Sequence, residues 1–384
     1  MMALEFLVTA VDRDTLPYQP VRVAVVGLGY WGPNLARVLH DYAGADLFAV
    51  CDRRNDALAR TARRYPSVKV TTSFADVLAA DEIEAVAIAT PVSTHHALAS
   101  AALAAGKHVF VEKPVAASVS EARQLEQAAA AFGRVLMPGH TFLYSPPVNC
   151  IRDLLRTGDL GEIYFISMSR VNLGLHQSDA SVTWDLAPHD FSILRYWLDE
   201  TPRYVSATSR SCVFPAVPDV AFITLEFESG IIAHVELAWL APSKLRRTSV
   251  VGSQKMLVYD DTSNEPVRVF DSGVNVRDPQ TFGEYNLTYR SGDIISPHVE
   301  TAEPLQLEMA DFCNAIRLGL QPRSTPTLGT DVVGMIEAVD ASLAGDGMRI
   351  DTKRMARQRL SRRGDRAPLA ATRRSSQLSG GPDR

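Results

Sequence analysis

Short apolar runs alternate with stretches of helical period across residues 21–139. Runs at 21–26, 46–51, 68–70, 85–89, 108–111 and 135–137 are rich in Val, Ala, Ile and Phe and read as strands, several apolar enough to be buried on both faces. Between them, 31–42, 56–65, 74–80, 93–105 and 118–132 read as helices, the fourth and fifth stopped by Gly106 and Gly133. Strand and helix in strict alternation predict an open, doubly wound parallel sheet with helices on both faces. Past Gly139 the pattern changes. After a helix at 146–156, runs at 164–172, 205–209, 220–227, 231–239, 248–252 and 256–259 follow one another with few helices, the signature of an antiparallel sheet. Helices return at 305–318 and 330–344. The predicted fold is α/β: an N-terminal parallel sheet plus a C-terminal α+β domain on a large, mainly antiparallel open sheet.

The first run feeds directly into Gly27-Leu28-Gly29-Tyr30-Trp31-Gly32, a G-x-G-x-x-G after a strand and before a helix. In a dinucleotide-binding fingerprint the first glycine permits the tight turn, the second admits a pyrophosphate close to the backbone, and the third lets helix and strand pack together. Pro33 falls in the first helical turn, where its missing N–H costs nothing. Free N–H groups and the dipole of that turn favour a bound phosphate. The second strand ends at Asp52, twenty residues beyond Gly32, the spacing of a carboxylate that bonds the adenosine ribose hydroxyls. A carboxylate there repels a 2′-phosphate, so NAD is favoured; Arg53 and Arg54 beside it keep NADP open. Candidate cofactor residues are Gly27, Gly29, Tyr30, Trp31, Gly32, Asp52, Arg53, Thr90, Pro91 and Glu112, the last three on the same sheet edge. Domain bounds follow: an N-terminal extension at 1–20, a Rossmann NAD(P)-binding domain at 21–139, a substrate-binding and oligomerisation domain at 140–352, and a basic disordered tail at 353–384.

Composition narrows the partners. At 384 residues two domains are expected, and 46% hydrophobic with 22% charged residues is ordinary for a soluble globular chain. No apolar run approaches the roughly 18 residues of a membrane span, and the first residues lack a basic, cleavable leader pattern. Cys51, Cys150, Cys212 and Cys313 form no C-x-x-C pair, which argues against structural zinc and a disulfide framework and fits a reducing cytoplasm. No metal is expected. The net charge of −5 hides a tail with ten Lys/Arg against two Asp, leaving −13 on the rest. With few apolar residues that tail reads as solvated and disordered rather than as a nucleic-acid reader.

Two clusters carry candidate chemistry. Glu112-Lys113-Pro114 closes the fifth strand at the edge where doubly wound sheets bind ligands, and a lysine there can stabilise negative charge growing on a substrate oxygen. Asp185 and His189 in Trp184-Asp185-Leu186-Ala187-Pro188-His189-Asp190 lie four apart and share a face if Leu186 onward is helical, with Pro188 in the first turn. A histidine titrating near neutrality is a natural base for an alcohol under oxidation. His140, Arg170, Asn172 and His176 near the domain junction are candidate substrate contacts, and Lys244, Arg246 and Arg247 are candidates for a pyrophosphate or carboxylate. His95 and His96 open a helix and read as structural.

Taken together, GLGYWG, Glu112-Lys113-Pro114 and Asp185-x-x-x-His189 resemble the glucose–fructose oxidoreductase/inositol dehydrogenase (Gfo/Idh/MocA) family over about residues 20–350. The resemblance implies Lys113, Asp185 and His189 as catalytic residues, a Lys113–Pro114 bond that is often cis, and dimers or tetramers formed through the C-terminal sheet. Gly29–Arg37, Arg170–Gly174, Trp184–Asp190, 244–261 and 289–297 are further similar to bacterial nucleotide-sugar 3-dehydrogenases acting on UDP-N-acetylglucosamine or its uronic acid. The implied reaction is hydride transfer between a sugar ring carbon, C3 of a UDP-aminosugar, and NAD. An inositol, free-sugar or keto-sugar dehydrogenase or reductase is the alternative within the family. A non-catalytic NAD-binding sensor is the alternative outside it. Neither membrane nor nucleic acid is an expected partner.

Overall fold

A computed structural model of the chain describes residues 19–174, 176, 180–276 and 287–364. The first half is a six-stranded parallel sheet in the order β3-β2-β1-β4-β5-β6, formed by β1 (Val21–Val26), β2 (Ala45–Cys51), β3 (Lys69–Thr71), β4 (Ala85–Ile88), β5 (His108–Glu112) and β6 (Leu136–Gly139). Helices α1 (Gly32–Asp41), α2 (Asn55–Arg64), α3 (Phe74–Ala79), α4 (Val92–Ala104) and α5 (Val119–Phe132) connect the strands. The chain order reverses between β1 and β4, and ligands of such sheets bind outside the strand ends at that switch point. β1, β4 and β5 are the buried centre because their residues are small or branched and apolar: Val23, Val25, Ala85, Ala87 and Phe110 are fully enclosed.

After β6 a 3₁₀ turn (Thr141–Tyr144) leads to α6 (Pro146–Thr157) and a nine-stranded sheet ordered β14-β13-β12-β11-β7-β10-β9-β8-β15. Its strands are β7 (Ile163–Val171), β8 (Tyr204–Arg210), β9 (Val220–Glu226), β10 (Ile232–Ala238), β11 (Leu245–Gly252), β12 (Met256–Asp260), β13 (Val267–Val276), β14 (Leu287–Ile295) and β15 (Ile350–Asp351). β7 and β10 pair in parallel and the other neighbours antiparallel, so the sheet is mixed but mainly antiparallel. Inward residues such as Ile166, Met168, Ile223, Val235 and Val250 pack under α7 (Val182–Leu198) and α9 (Pro326–Ala344). The opposite face leaves Phe165, Phe222 and Ile232 exposed.

The two sheets share one core. α8 (Pro304–Leu318) returns to the first half, where Phe312 meets Phe110 edge-on at 5.9 Å and Arg317 pairs with Glu84 at 2.7 Å. α9 packs on α5, and its Gly329 lies so near Pro138 that an added Cβ would approach the ring to 2.6 Å. Residues 140–352 therefore cover part of the nucleotide sheet as well as forming a sheet of their own. The basic segment expected to be disordered from 353 opens as helix α10 (Thr352–Gly364), its start held by Arg354 N–H donating to Asp351 Oδ1 at 2.8 Å and by Lys353 paired with Glu228. Residues 365–384, and 1–18 of the N-terminal extension, lie outside the described residues. Among the described residues no helix is long and apolar enough to cross a membrane.

Candidate active site

The glycine turn is built as its spacing requires. Gly27 holds φ +93°, and a Cβ there would come within 2.6 Å of the Ala89 carbonyl; at Gly32 it would come within 1.9 Å of the Gly27 carbonyl. Gly29 is different: nothing stands within 4 Å of its position, which leaves a bare wall on a cavity of about 660 Å³. α1 begins behind that wall with no acidic residue in its first turn and no side-chain cap, so its N-terminal field is open to an anion. A dinucleotide pyrophosphate fits this cradle. Tyr30 and Trp31, in edge contact at 5.7 Å, line the same cavity with Thr90, Pro91 and Glu112.

At the tip of β2, Asp52 Oδ2 accepts from the Leu28 backbone N–H at 2.6 Å, and Oδ1 accepts from Arg54 N and Nε at 2.8 and 3.1 Å. Burial alone pushes this carboxyl up, but the Arg54 guanidinium and the Leu28 and Arg54 N–H groups outweigh it and hold it below the usual carboxylate range. Arg54, whose Nη2 also reaches the Leu28 carbonyl at 2.8 Å, is the arginine that closes on Asp52. Arg53, named from the sequence, is exposed and lines neither cavity described here.

Lys113, Asp185 and His189 converge from β5 and α7. Lys113 Nζ donates to the Asp185 carbonyl at 2.8 Å and approaches its carboxylate Oδ1 at 3.4 Å, while Trp239 Nε1 donates to Oδ2 at 3.1 Å. The Lys113–Pro114 peptide is cis. α7 starts earlier than expected, because Ser181 Oγ caps it by accepting from Trp184 N at 3.4 Å. Asp185 thus lies in the first turn and Pro188 inside the helix rather than at its start, where it has no N–H to offer the Trp184 carbonyl. His189 still falls one turn after Asp185. It lines a second cavity of about 300 Å³ with Lys113, Glu112, Thr141, Phe142, Ser145, Arg246, Tyr259 and Asp261. Burial, then the charges of Lys113 and Arg170, the nearby His140 and the Arg246 charge hold its imidazole well below the usual histidine range. Lys113, Glu112 and Trp31 belong to both cavities and form the wall between them.

The proposed substrate contacts separate. Asn172 lines the larger cavity and its Oδ1 has no partner. Arg170 does not face either cavity: it is locked to Asp190 by a bidentate pair, Nε to Oδ2 at 2.7 Å and Nη2 to Oδ1 at 2.9 Å, and lies 4.5 Å over the Phe142 ring. Phe142 in turn meets His189 edge-on at 5.0 Å, so Arg170 supports the wall behind the histidine. His140 is buried behind the site, driven down to about 3 by burial and then by the Lys113 charge, and neither ring nitrogen has a partner. His176 packs edge-on against Trp239 at 5.5 Å, near Asp219. Of the basic cluster, Arg246 alone lines the second cavity, where Nη1 pairs with Asp261 Oδ2 at 3.2 Å.

Several site residues carry no local signal. His95, read from the sequence as structural, bridges the Pro114 carbonyl at 2.9 Å and the Thr90 carbonyl at 2.8 Å, tying together the two loops that flank the cofactor cradle. Trp239 and Glu308 sit 54 and more residues away from their partners, and only the fold brings them in. Among the described residues no group of His, Cys, Asp and Glu is arranged to hold a metal ion.

Comparison with known proteins covers both halves. Residues 21–140 match a family model described as an oxidoreductase family with an NAD-binding Rossmann fold, and 148–258 match the GFO/IDH/MocA C-terminal domain. D-apiose dehydrogenase from Paraburkholderia graminis is 28% identical over 60% of this chain, which spans 63% of that relative's length. The NAD⁺-dependent scyllo-inositol 2-dehydrogenase of Bacillus subtilis is 26% identical over 87% of this chain and 97% of its own. Among solved structures, GenD2 from gentamicin A biosynthesis, in complex with NAD, is similar with a TM-score of 0.74 and 26% identity over 89% of this chain and 97% of that one. UDP-N-acetylglucosamine 3-dehydrogenase GnnA from Acidithiobacillus ferrooxidans has a TM-score of 0.72 at 23% identity over 85% and 98%, a likeness of fold.

Removing the partner of the buried arginine tests its role as a support. Asp190→Ala leaves the Arg170 charge enclosed without a counterion and is expected to cost about 3–5 kcal/mol of stability, read from urea unfolding; a loss near zero removes the supporting role assigned to the pair.

Proposed function

The chain belongs to the Gfo/Idh/MocA oxidoreductase family, and on that premise we propose that it catalyses reversible, NAD-dependent oxidation of a ring hydroxyl on a sugar or nucleotide sugar. The observation that carries this reading is Lys113 on the wall between a cofactor-sized cavity and a smaller one, with Asp185 lining the first and His189 the second. A neutral imidazole accepts the hydroxyl proton at a ring nitrogen, and the surrounding cations that keep it neutral also favour the alkoxide that forms. Lys113 Nζ has hydrogens beyond the one given to the Asp185 carbonyl and directs them at the substrate oxygen. Asp185, fixed by Lys113 on one side and Trp239 on the other, orients both the ammonium and the sugar. NAD, its pyrophosphate held at the glycine turn, would supply the hydride acceptor.

The finer reading is C3 of a UDP-aminosugar, supported by the sequence resemblance and by the continuity of the two cavities through Lys113 and Trp31. An inositol or free-sugar substrate is the second reading, favoured by the near full-length similarity to an inositol dehydrogenase. The exposed Phe165, Phe222 and Ile232 on the outer sheet face are read as the contact with a second copy of the chain.

Calorimetry with NAD⁺ plus UDP-N-acetylglucosamine, its uronate or myo-inositol, with NADH absorbance followed in parallel, separates the substrate readings. Lys113→Ala should lower turnover by at least about a hundredfold with NAD⁺ affinity nearly unchanged; ordinary turnover sinks the assignment. Asp52→Ser should weaken NAD⁺ by roughly tenfold, about 1.4 kcal/mol, and improve NADP⁺ binding as Arg54 is released; unchanged preference rejects the role of Asp52. Phe165→Glu with Ile232→Glu should convert the assembly to monomers in sedimentation equilibrium, and an oligomer that survives both changes rules out that face.

A further inference from the structure

Two enclosed carboxyl groups, Glu112 beside Lys113 and Glu308 near Glu112, take no part in the proton and hydride transfer above. Glu112 ends β5, opposite Gly139 on β6, where an added Cβ would come within 3.2 Å of the Glu112 Cα; the missing side chain is what lets the carboxyl fold in. Its Oε2 accepts from the Lys113 backbone N–H at 3.3 Å, and its Oε1, though buried, has no partner. Glu308 reaches in from α8, wholly enclosed; Oε2 accepts from the Thr141 hydroxyl at 2.7 Å and Oε1 is again without a partner. Glu112 lines both cavities, and Thr141 lines the one that holds His189. Buried carboxyl oxygens without partners are costly unless a proton satisfies them.

We propose that Glu112, paired with Glu308, accepts and stores the proton that His189 removes from the substrate hydroxyl. The step balances as a proton transfer alone: the N–H bond on the imidazole breaks, an O–H bond forms on the Glu112 carboxylate, and the proton later leaves to solvent through the larger cavity. The inference rests on the oxidoreductase reading of the site. Burial pushes Glu112 up to about 7 against the opposing Lys113 charge and N–H, so it changes protonation state where the enzyme must work. Burial, then the Glu112 charge, raises Glu308 well above the carboxylate range, and the two carboxyls titrate as a coupled pair. Of the other titratable groups, His189, held neutral, lines the second cavity with Glu112. Arg246 and Asp261 stand across the second cavity as a pair. His189 cannot itself keep the proton, since burial and three neighbouring cations favour its neutral form. An acceptor sharing its cavity resolves that.

The sign follows. Glu112 is a carboxylate, able to accept, above about pH 7, so oxidation should rise with pH through that value. Infrared titration of the whole chain needs no substrate: wild type should show a protonated carboxyl band lost between pH 6 and 8 and another that persists. Glu112→Gln should abolish the first and Glu308→Gln the second. A wild-type chain with no carboxyl titrating in that window overturns the proposal, whether or not either variant folds. In turnover of whichever probe sugar is oxidised, Glu112→Gln should lose the inflection near 7 and slow by on the order of tenfold or more; an unchanged profile also overturns it. Failure of every probe sugar counts against the functional reading, while the infrared titration still decides the carboxyl pair.

Discussion

One lysine joins the two halves of the site. Lys113 leaves the last central strand of the nucleotide sheet, and its Nζ ends on the carbonyl and carboxylate of Asp185 in the first turn of α7, a helix of the other half. A part-buried ammonium needs partners, and these are the partners within reach. The contact fixes how the glycine-turn side of the site faces the imidazole one turn later, so both are aligned by the same bond. The rest of the molecule reads as a means of holding those two halves still. Phe312 on Phe110, Arg317 on Glu84 and the Arg37–Glu303 pair fasten α8 to the nucleotide sheet, and Gly329 admits α9 against Pro138. Lost freedom between the halves is where orientation becomes rate.

Much of this was legible in the chain. The strand-turn-helix around Gly27 and Gly32 is dictated by steric exclusion, and steric exclusion is local, so the fingerprint appears where its spacing says. The central strands were equally plain, because residues buried on both faces leave nothing polar to confuse the period. β13 and β14 were missed as a hairpin for the opposite reason: β14 is exposed along almost its whole length, and no buried face imposes alternation on it.

The site divides along the same line. Lys113, Asp185 and His189 could be named because a strand end and a helical repeat set them, even though the helix starts at Val182 and carries Pro188 inside it. Arg170 misled: a buried arginine beside a pocket and an arginine lining one have the same sequence, and only Asp190, twenty residues on, tells them apart. The fastening of Thr90 to Pro114 by His95, the hold of Trp239 on Asp185 and the approach of Glu308 to Thr141 are products of tertiary packing, with no periodicity to announce them.

The electrostatics of the second cavity follow from how the charges are paired. Lys113, Arg170 and Arg246 each carry their own carboxylate, Asp185, Asp190 and Asp261. Pairing limits the cost of enclosing the charge. It does not cancel the field at His189, where all three cations still push the imidazole towards its neutral form. Asp185 and Asp190 lie outside the second cavity, while Asp261 lines it beside Arg246. A pocket so arranged disfavours a proton on its base and favours negative charge on a bound oxygen, which are the two requirements for taking a hydride from a carbinol carbon. The same field makes the released proton unwelcome on the imidazole, and the enclosed Glu112 carboxyl, where burial outweighs the Lys113 charge, holds it more readily.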